Sequence, residues 1–215
     1  MNEMQEAHSF KKELISKVAS GSYLTKEGTT NNTRLRNDLK IMKYNLKGAN
    51  LGGANLQEAD LSKVNLRGAN LGGANLAYAN LSGADLECAN LGGANLAYAK
   101  LVSADLKGAN MSGVYLGYSD MSNAILVDAY LWGAYLKGSK LSSADIRRAY
   151  LRGADLKGVI LSHSNLSGAD LSGANIFGIE ADRDTARQAI LSAVANTGSD
   201  SEVKKLMDDL CISVK

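Results

Sequence analysis

Proline is absent from the 215-residue chain, and cysteine, histidine and phenylalanine occur only twice each. The lack of proline suits a structure in which backbone N–H groups are needed as donors throughout, since proline has none to give. Cys88 and Cys211 cannot build a disulfide framework, which fits a reducing compartment. His8 and His163 lie far apart, and neither comes with the cysteine or carboxylate spacing of a metal site. No charge of one sign dominates, with 24 basic against 22 acidic residues. That balance argues against a nucleic-acid footprint and equally against a strongly acidic mimic of one. No apolar run approaches the length that crosses a bilayer. The opening Met1-Asn2-Glu3-Met4-Gln5-Glu6 has neither the basic nor the apolar region of a secretory signal, so a cytoplasmic location is expected.

Glycine, by contrast, is plentiful at 22 residues, and an internal period governs the chain. From Leu46 to Ile176 an apolar residue falls at every fifth position, 27 times without a break. Only Met111, Met121, Ile146 and Ile176 in this series are not leucine. Two residues before each, from Ala49 onward, stands alanine or another small residue (Val64, Val114, Ser119, Ser139, Val159, Ser164). Between them lies Asn or Asp in 19 of the 27 repeats. A period of five fits neither regular element. On a helix five residues advance about 500°, which would spiral the leucines round every face. On a strand an odd period alternates them between faces. One side of the chain holds all of them only if it turns a corner in each repeat. Four corners close a square coil of 20 residues, and stacked coils bury their apolar positions against one another.

The units Ala49-Asn50-Leu51-Gly52-Gly53, Ala69-Asn70-Leu71-Gly72-Gly73 and Ala84-Asp85-Leu86-Glu87-Cys88 resemble the A(D/N)LXX motif of the pentapeptide-repeat family. The resemblance covers roughly residues 45–178. It implies an all-β solenoid, a right-handed quadrilateral parallel β-helix with the leucine and small positions inward. It also implies protein binding as the usual role, with no common catalytic activity. Nearly seven coils at ~4.8 Å spacing would make a rod of about 30–35 Å.

The flanks read as α-helical caps for the open ends of the solenoid. Met4, Ala7, Phe10, Leu14 and Val18 keep helical spacing before Gly21, and Tyr23–Lys40 is a polar link. Asp182–Ala195 and Ser199–Cys211 read as two further helices, separated by Asn196-Thr197-Gly198. Ser199 or Asp200 would cap the second, with Val203, Leu206, Met207 and Leu210 on its apolar face. The expected division is 1–40, 41–180 and 181–215. The chain would be a monomer, or a dimer through a terminal cap.

No catalytic constellation is present. Cys88 sits at an outward repeat position without a histidine nearby, and Gly133–Lys140 lacks the order and setting of a phosphate-binding loop. No metal and no cofactor are expected.

Residues 20 apart should stack into surface columns. Tyr78, Tyr98 and Tyr118 form one ladder; Lys47, Arg67, Glu87, Lys107, Val127 and Arg147 form a largely basic one. Lys100, Asp120 and Lys140 alternate in sign, which suggests pairing from rung to rung. One corner is glycine in every coil, from Gly53 to Gly173. Either it needs positive φ or its edge is kept bare for close contact, and the backbone requirement is the preferred reading.

All eight departures from Asn/Asp fall between Lys100 and Ile160: Lys100, Tyr115, Ile125, Tyr130, Tyr135, Lys140, Tyr150 and Ile160. Stacking sets Tyr130 beside Tyr150, Tyr115 beside Tyr135, and Trp132 beside Arg152, on adjacent faces. Aromatics with an arginine are the composition of a binding hot spot, whereas cross-strand aromatic pairs also simply stabilise sheets. The candidate partner surface is therefore Tyr115, Tyr130, Trp132, Tyr135, Tyr150 and Arg152. The leading expectation is a non-catalytic scaffold for a protein partner, binding neither nucleic acid nor membrane. A second is a DNA mimic that binds gyrase, because the family includes quinolone-resistance proteins of that kind. Against it stand the aliphatic central column and a balanced repeat region, with 12 basic and 11 acidic residues over 41–180. A third is a secreted effector or a purely structural rod.

Overall fold

The computed structural model describes residues 45–193, 208 and 213–214. The helix and link expected within 1–40 and most of the helix expected over Ser199–Cys211 lie outside these residues.

The described chain is a right-handed quadrilateral β-helix. Parallel pairing joins each Asn/Asp position to the one 20 residues on, from Asn45 with Asn65 to Ile160 with Glu180. We number the four faces by their leucine columns: face 1 begins at Leu46, face 2 at Leu51, face 3 at Leu56 and face 4 at Leu61. Leucine and alanine columns fill the interior and are almost wholly buried.

The repeat Ala69–Gly73 shows why the motif reads as it does. The Asn70 N–H donates back to the Ala49 carbonyl at 2.9 Å. Leu71 and Gly73 donate forward to the carbonyls of Asn90 and Gly92, at 2.7 and 2.9 Å. The next residue, Ala74, closes the corner by donating to the Leu71 carbonyl at 3.0 Å. One donor remains, the Gly72 N–H, and the Asn70 side chain accepts it at 3.1 Å. Each of the 19 Asn or Asp residues accepts the N–H two positions later in this way. Unpaired donors near a packed core are costly, so the consensus polar residue is a structural acceptor.

Every corner from Gly48 to Gly178 places its last residue at positive φ, in the manner of a type II turn. Glycine fills 15 of these positions and other residues fill 12. The all-glycine corner has the positive φ expected of it. Positive φ is common to all four corners, so it cannot be what sets this one apart.

At the C-terminal end, strand β1 (Glu180–Ala181) pairs in parallel with strand β2 (Ser213–Val214). Helix α1 (Arg183–Ala193) closes the last coil, burying Thr185, Ala186, Ala189 and Ile190. Its polar side chains take the place of the next coil's carbonyls. Gln188 accepts from the Leu166 N–H at 3.1 Å, and Ser192 from the Leu171 N–H at 2.9 Å. Asp182 caps the helix by accepting from the Thr185 N–H and hydroxyl, and it also takes the His163 N–H. Burial alone would raise its pKa, but these bonds outweigh it and hold the carboxyl at about 2.

Candidate interaction surface

The coil stacking brings the six candidate residues onto faces 2 and 3, on either side of the all-glycine corner. On face 2, Tyr130 and Tyr150 stack with ring centroids 5.0 Å apart. Trp132 stands edge-on to both, at 5.7 and 6.1 Å. On face 3, Tyr115 and Tyr135 stack at 4.8 Å. Trp132 and Tyr135 leave about half of their surface in solvent, 51 and 50%. Arg152 follows Trp132 in its column, but the tryptophan contacts are with the two tyrosines.

Gly113 and Gly133 form the corner between these clusters. A Cβ at either would meet nothing within 4 Å, and the same holds for Gly53, Gly73, Gly93, Gly153 and Gly173. The corner is therefore not glycine to avoid a clash within the chain. It is a bare edge between two aromatic clusters.

Charge divides the rod into two sides. Over residues 45–178, faces 2 and 3 with their corners hold only Glu58, Lys137, Arg152, Asp155, Lys157 and Asp170. The remaining charges sit on faces 1 and 4, and several cancel there. Arg67 pairs with Glu87 one coil on, Arg148 binds Asp128 through two bonds of 2.8 Å, and Arg147 binds Asp145. The arginine hydrogen bonds hold Asp128 and Asp145 below the usual carboxylate range. The column expected to be basic is thus partly neutralised. The expected pairing of Lys100, Asp120 and Lys140 does not form.

At each aromatic departure the N–H two residues on loses its side-chain acceptor. An Asn ladder runs along face 2 from Asn50 through Asn70 and Asn90 to Asn110, with amide bonds of 2.9–3.0 Å, and stops where Tyr130 begins. The tyrosines thus replace a working hydrogen-bond ladder. Sequence reasoning did not join the Tyr78–Tyr98–Tyr118 ladder to Tyr115 and Tyr135. Tyr98, Tyr118, Tyr115 and Tyr135 line a shallow groove along face 3 together with Asn75, Asn95 and the Gly73 and Gly93 edge, and the small residues Ala97 and Gly117 at a spacing of 20 were its signal. Among the described residues, no group of His, Cys, Asp or Glu is arranged to hold a metal, and Cys88 is an exposed free thiol. No helix among them is long and apolar enough to cross a membrane.

The family model for pentapeptide repeats matches this chain in overlapping segments spanning residues 45–178. Among solved structures, HetL from Nostoc sp. strain PCC 7120, a pentapeptide repeat protein involved in heterocyst differentiation regulation, is 32% identical. That match covers 63% of this chain and 67% of HetL, with a TM-score of 0.39. The pentapeptide repeat protein alr5209 from Nostoc PCC 7120 is also 32% identical, over 54% of this chain and 84% of its own, with a TM-score of 0.42. QnrB1, a plasmid-mediated fluoroquinolone resistance protein, shares the fold at 17% identity and a TM-score of 0.54, over 80% of this chain and 95% of QnrB1. No curated protein matches the sequence.

Proposed function

The chain belongs to the pentapeptide-repeat family, and on that premise we propose that it is a non-catalytic scaffold that binds a protein partner through Tyr115, Tyr130, Trp132, Tyr135, Tyr150 and Arg152. The observation that carries this reading is the loss of hydrogen bonding that the patch entails. Four of these positions give up the Asn/Asp acceptor used elsewhere on the same faces, and a half-exposed tryptophan stands edge-on to two of them. Half-exposed aromatics with an arginine are enriched at binding hot spots, and the bare glycine edge lets a partner's backbone approach closely.

In this reading residues 41–180 form the binding body, and segments 1–40 and 181–215 serve as its ends. Affinity capture from the native host with the full chain tests it. Wild type retains a specific protein that Trp132→Ala and Tyr135→Ala lose, while both variants melt as wild type does. Identical capture profiles would remove the proposal.

A further inference from the structure

The groove on face 3 has a volume of about 520 Å³, within the ~300–1,000 Å³ range of small-molecule sites. We propose that it binds a planar aromatic anion lying along the rod, with the acidic group at Lys137. The groove shares Tyr115 and Tyr135 with the protein-binding patch and extends away from Trp132, Tyr130 and Tyr150.

Shape comes first. Ala97 and Gly117 form the floor, with Tyr98 and Tyr118 on one side and the column Asn75, Asn95, Tyr115 and Tyr135 on the other, which opens onto the edge at Gly73 and Gly93. No floor side chain extends beyond a methyl group, so a flat body can lie between the ladders. On the Tyr98–Tyr118 side the ring faces are already used. Tyr98 is stacked by Tyr78 at 5.0 Å and by Tyr118 at 5.4 Å, with interplanar angles of 3° and 13°. The far side of Tyr118 covers Gly138, where a Cβ would stand 2.6 Å from the ring. Edges and hydroxyls are what these tyrosines have left to offer. The positive edge of one ring set against the negative face of another is a favoured arrangement, so the walls suit a flat π-system.

Charge then selects among flat ligands. One coil beyond Gly117 the floor column becomes Lys137, in the same repeat as the lining residue Tyr135. Lys137 is exposed and forms no ion pair among the described residues. The neighbouring carboxylate, Asp155, is engaged by the Lys157 N–H and the Asn175 amide. A cation at the end of an otherwise uncharged trough complements a carboxylate, sulfonate or phosphate on the end of an aromatic frame.

Two fluorescent probes test the shape and charge arguments separately on the full chain. One is 8-anilinonaphthalene-1-sulfonate; the other is N-phenyl-1-naphthylamine, the same frame without the sulfonate. Wild type is expected to bind one sulfonate probe per chain, about tenfold or more tighter than the neutral probe. Lys137→Gln erases that difference. Tyr98→Ala and Gly117→Leu, which remove a wall and fill the floor, weaken both probes by about tenfold or more. Trp132→Ala changes binding by less than about twofold, although it abolishes partner capture. Circular dichroism and a cooperative melt establish that each variant is folded. The proposal is overturned if binding does not saturate, if the two probes bind wild type equally, or if Gly117→Leu and Tyr98→Ala leave binding unchanged. Loss of binding in Trp132→Ala would also overturn it, by moving the site to face 2.

Discussion

A single side-chain oxygen explains the Asn or Asp that recurs before the central leucine of the repeat. The backbone of each repeat satisfies every donor but one, and Asn or Asp accepts the last. Replacing it costs about 0.5–1.5 kcal/mol of hydrogen bonding, which stacking at Tyr130 and Tyr150 partly returns. The double change Tyr130→Asn with Tyr150→Asn would extend the ladder beyond Asn110. We expect it to leave thermal stability unchanged or raise it, while partner capture disappears. A clear fall in melting temperature would show instead that the tyrosines are there for the fold. Inside the rod, the hydroxyls of Ser119 and Ser139 are buried without a hydrogen-bond partner. Their counterpart Ser164 donates to the Leu141 carbonyl at 2.7 Å. Ser119→Ala and Ser139→Ala should each stabilise the protein, by about 1 kcal/mol in a denaturant titration.

Among the elements, helix α1 carries the most legible device. A solenoid end exposes N–H groups that await a next coil, and α1 meets two of them with Gln188 and Ser192. Asp182 anchors both the helix and the coil. Its folded pKa, about 2, lies below the ordinary 3.8. Its ionised form therefore stabilises the fold above about pH 4, and that contribution is lost as the pH falls toward 2. Asp182→Asn should lower the melting temperature at pH 7 and flatten its decline between pH 4 and 2. A parallel decline in both proteins would show that other carboxylates set the acid limb. The helix was partly legible beforehand, since Asp182–Ala195 reads as helical. That its polar side chains stand in for a missing coil was not legible, because those partners lie 19 to 22 residues away and depend on how the helix lands.

At the largest scale the described residues form a rod with two unlike sides, one charged and paired in part, the other nearly uncharged, aromatic and bare along its edge. That surface does not resemble a polyanion. We expect no inhibition or protection of gyrase in a supercoiling assay with added protein. Inhibition at stoichiometric protein would revive the DNA-mimic reading.

The sequence by itself determined the coil. A strict period of five with large and small apolar residues leaves one way to bury both, and a spacing of 20 then dictates which side chains stack. It therefore also disclosed the pairs Tyr115–Tyr135 and Tyr130–Tyr150 and the Tyr78–Tyr98–Tyr118 ladder. Tertiary structure decided what those columns face. The glycine corner has the expected positive φ, but every corner shares it, so what sets this edge apart is its bareness between the aromatic clusters. Lys100, Asp120 and Lys140 stack in alternating sign yet make no ion pairs, because column membership sets proximity while side-chain rotamers set contact. The groove exists only because two tyrosine ladders from different positions in the repeat flank one column of small residues. That relation runs across the chain direction, where a repeat read along its length has nothing to say.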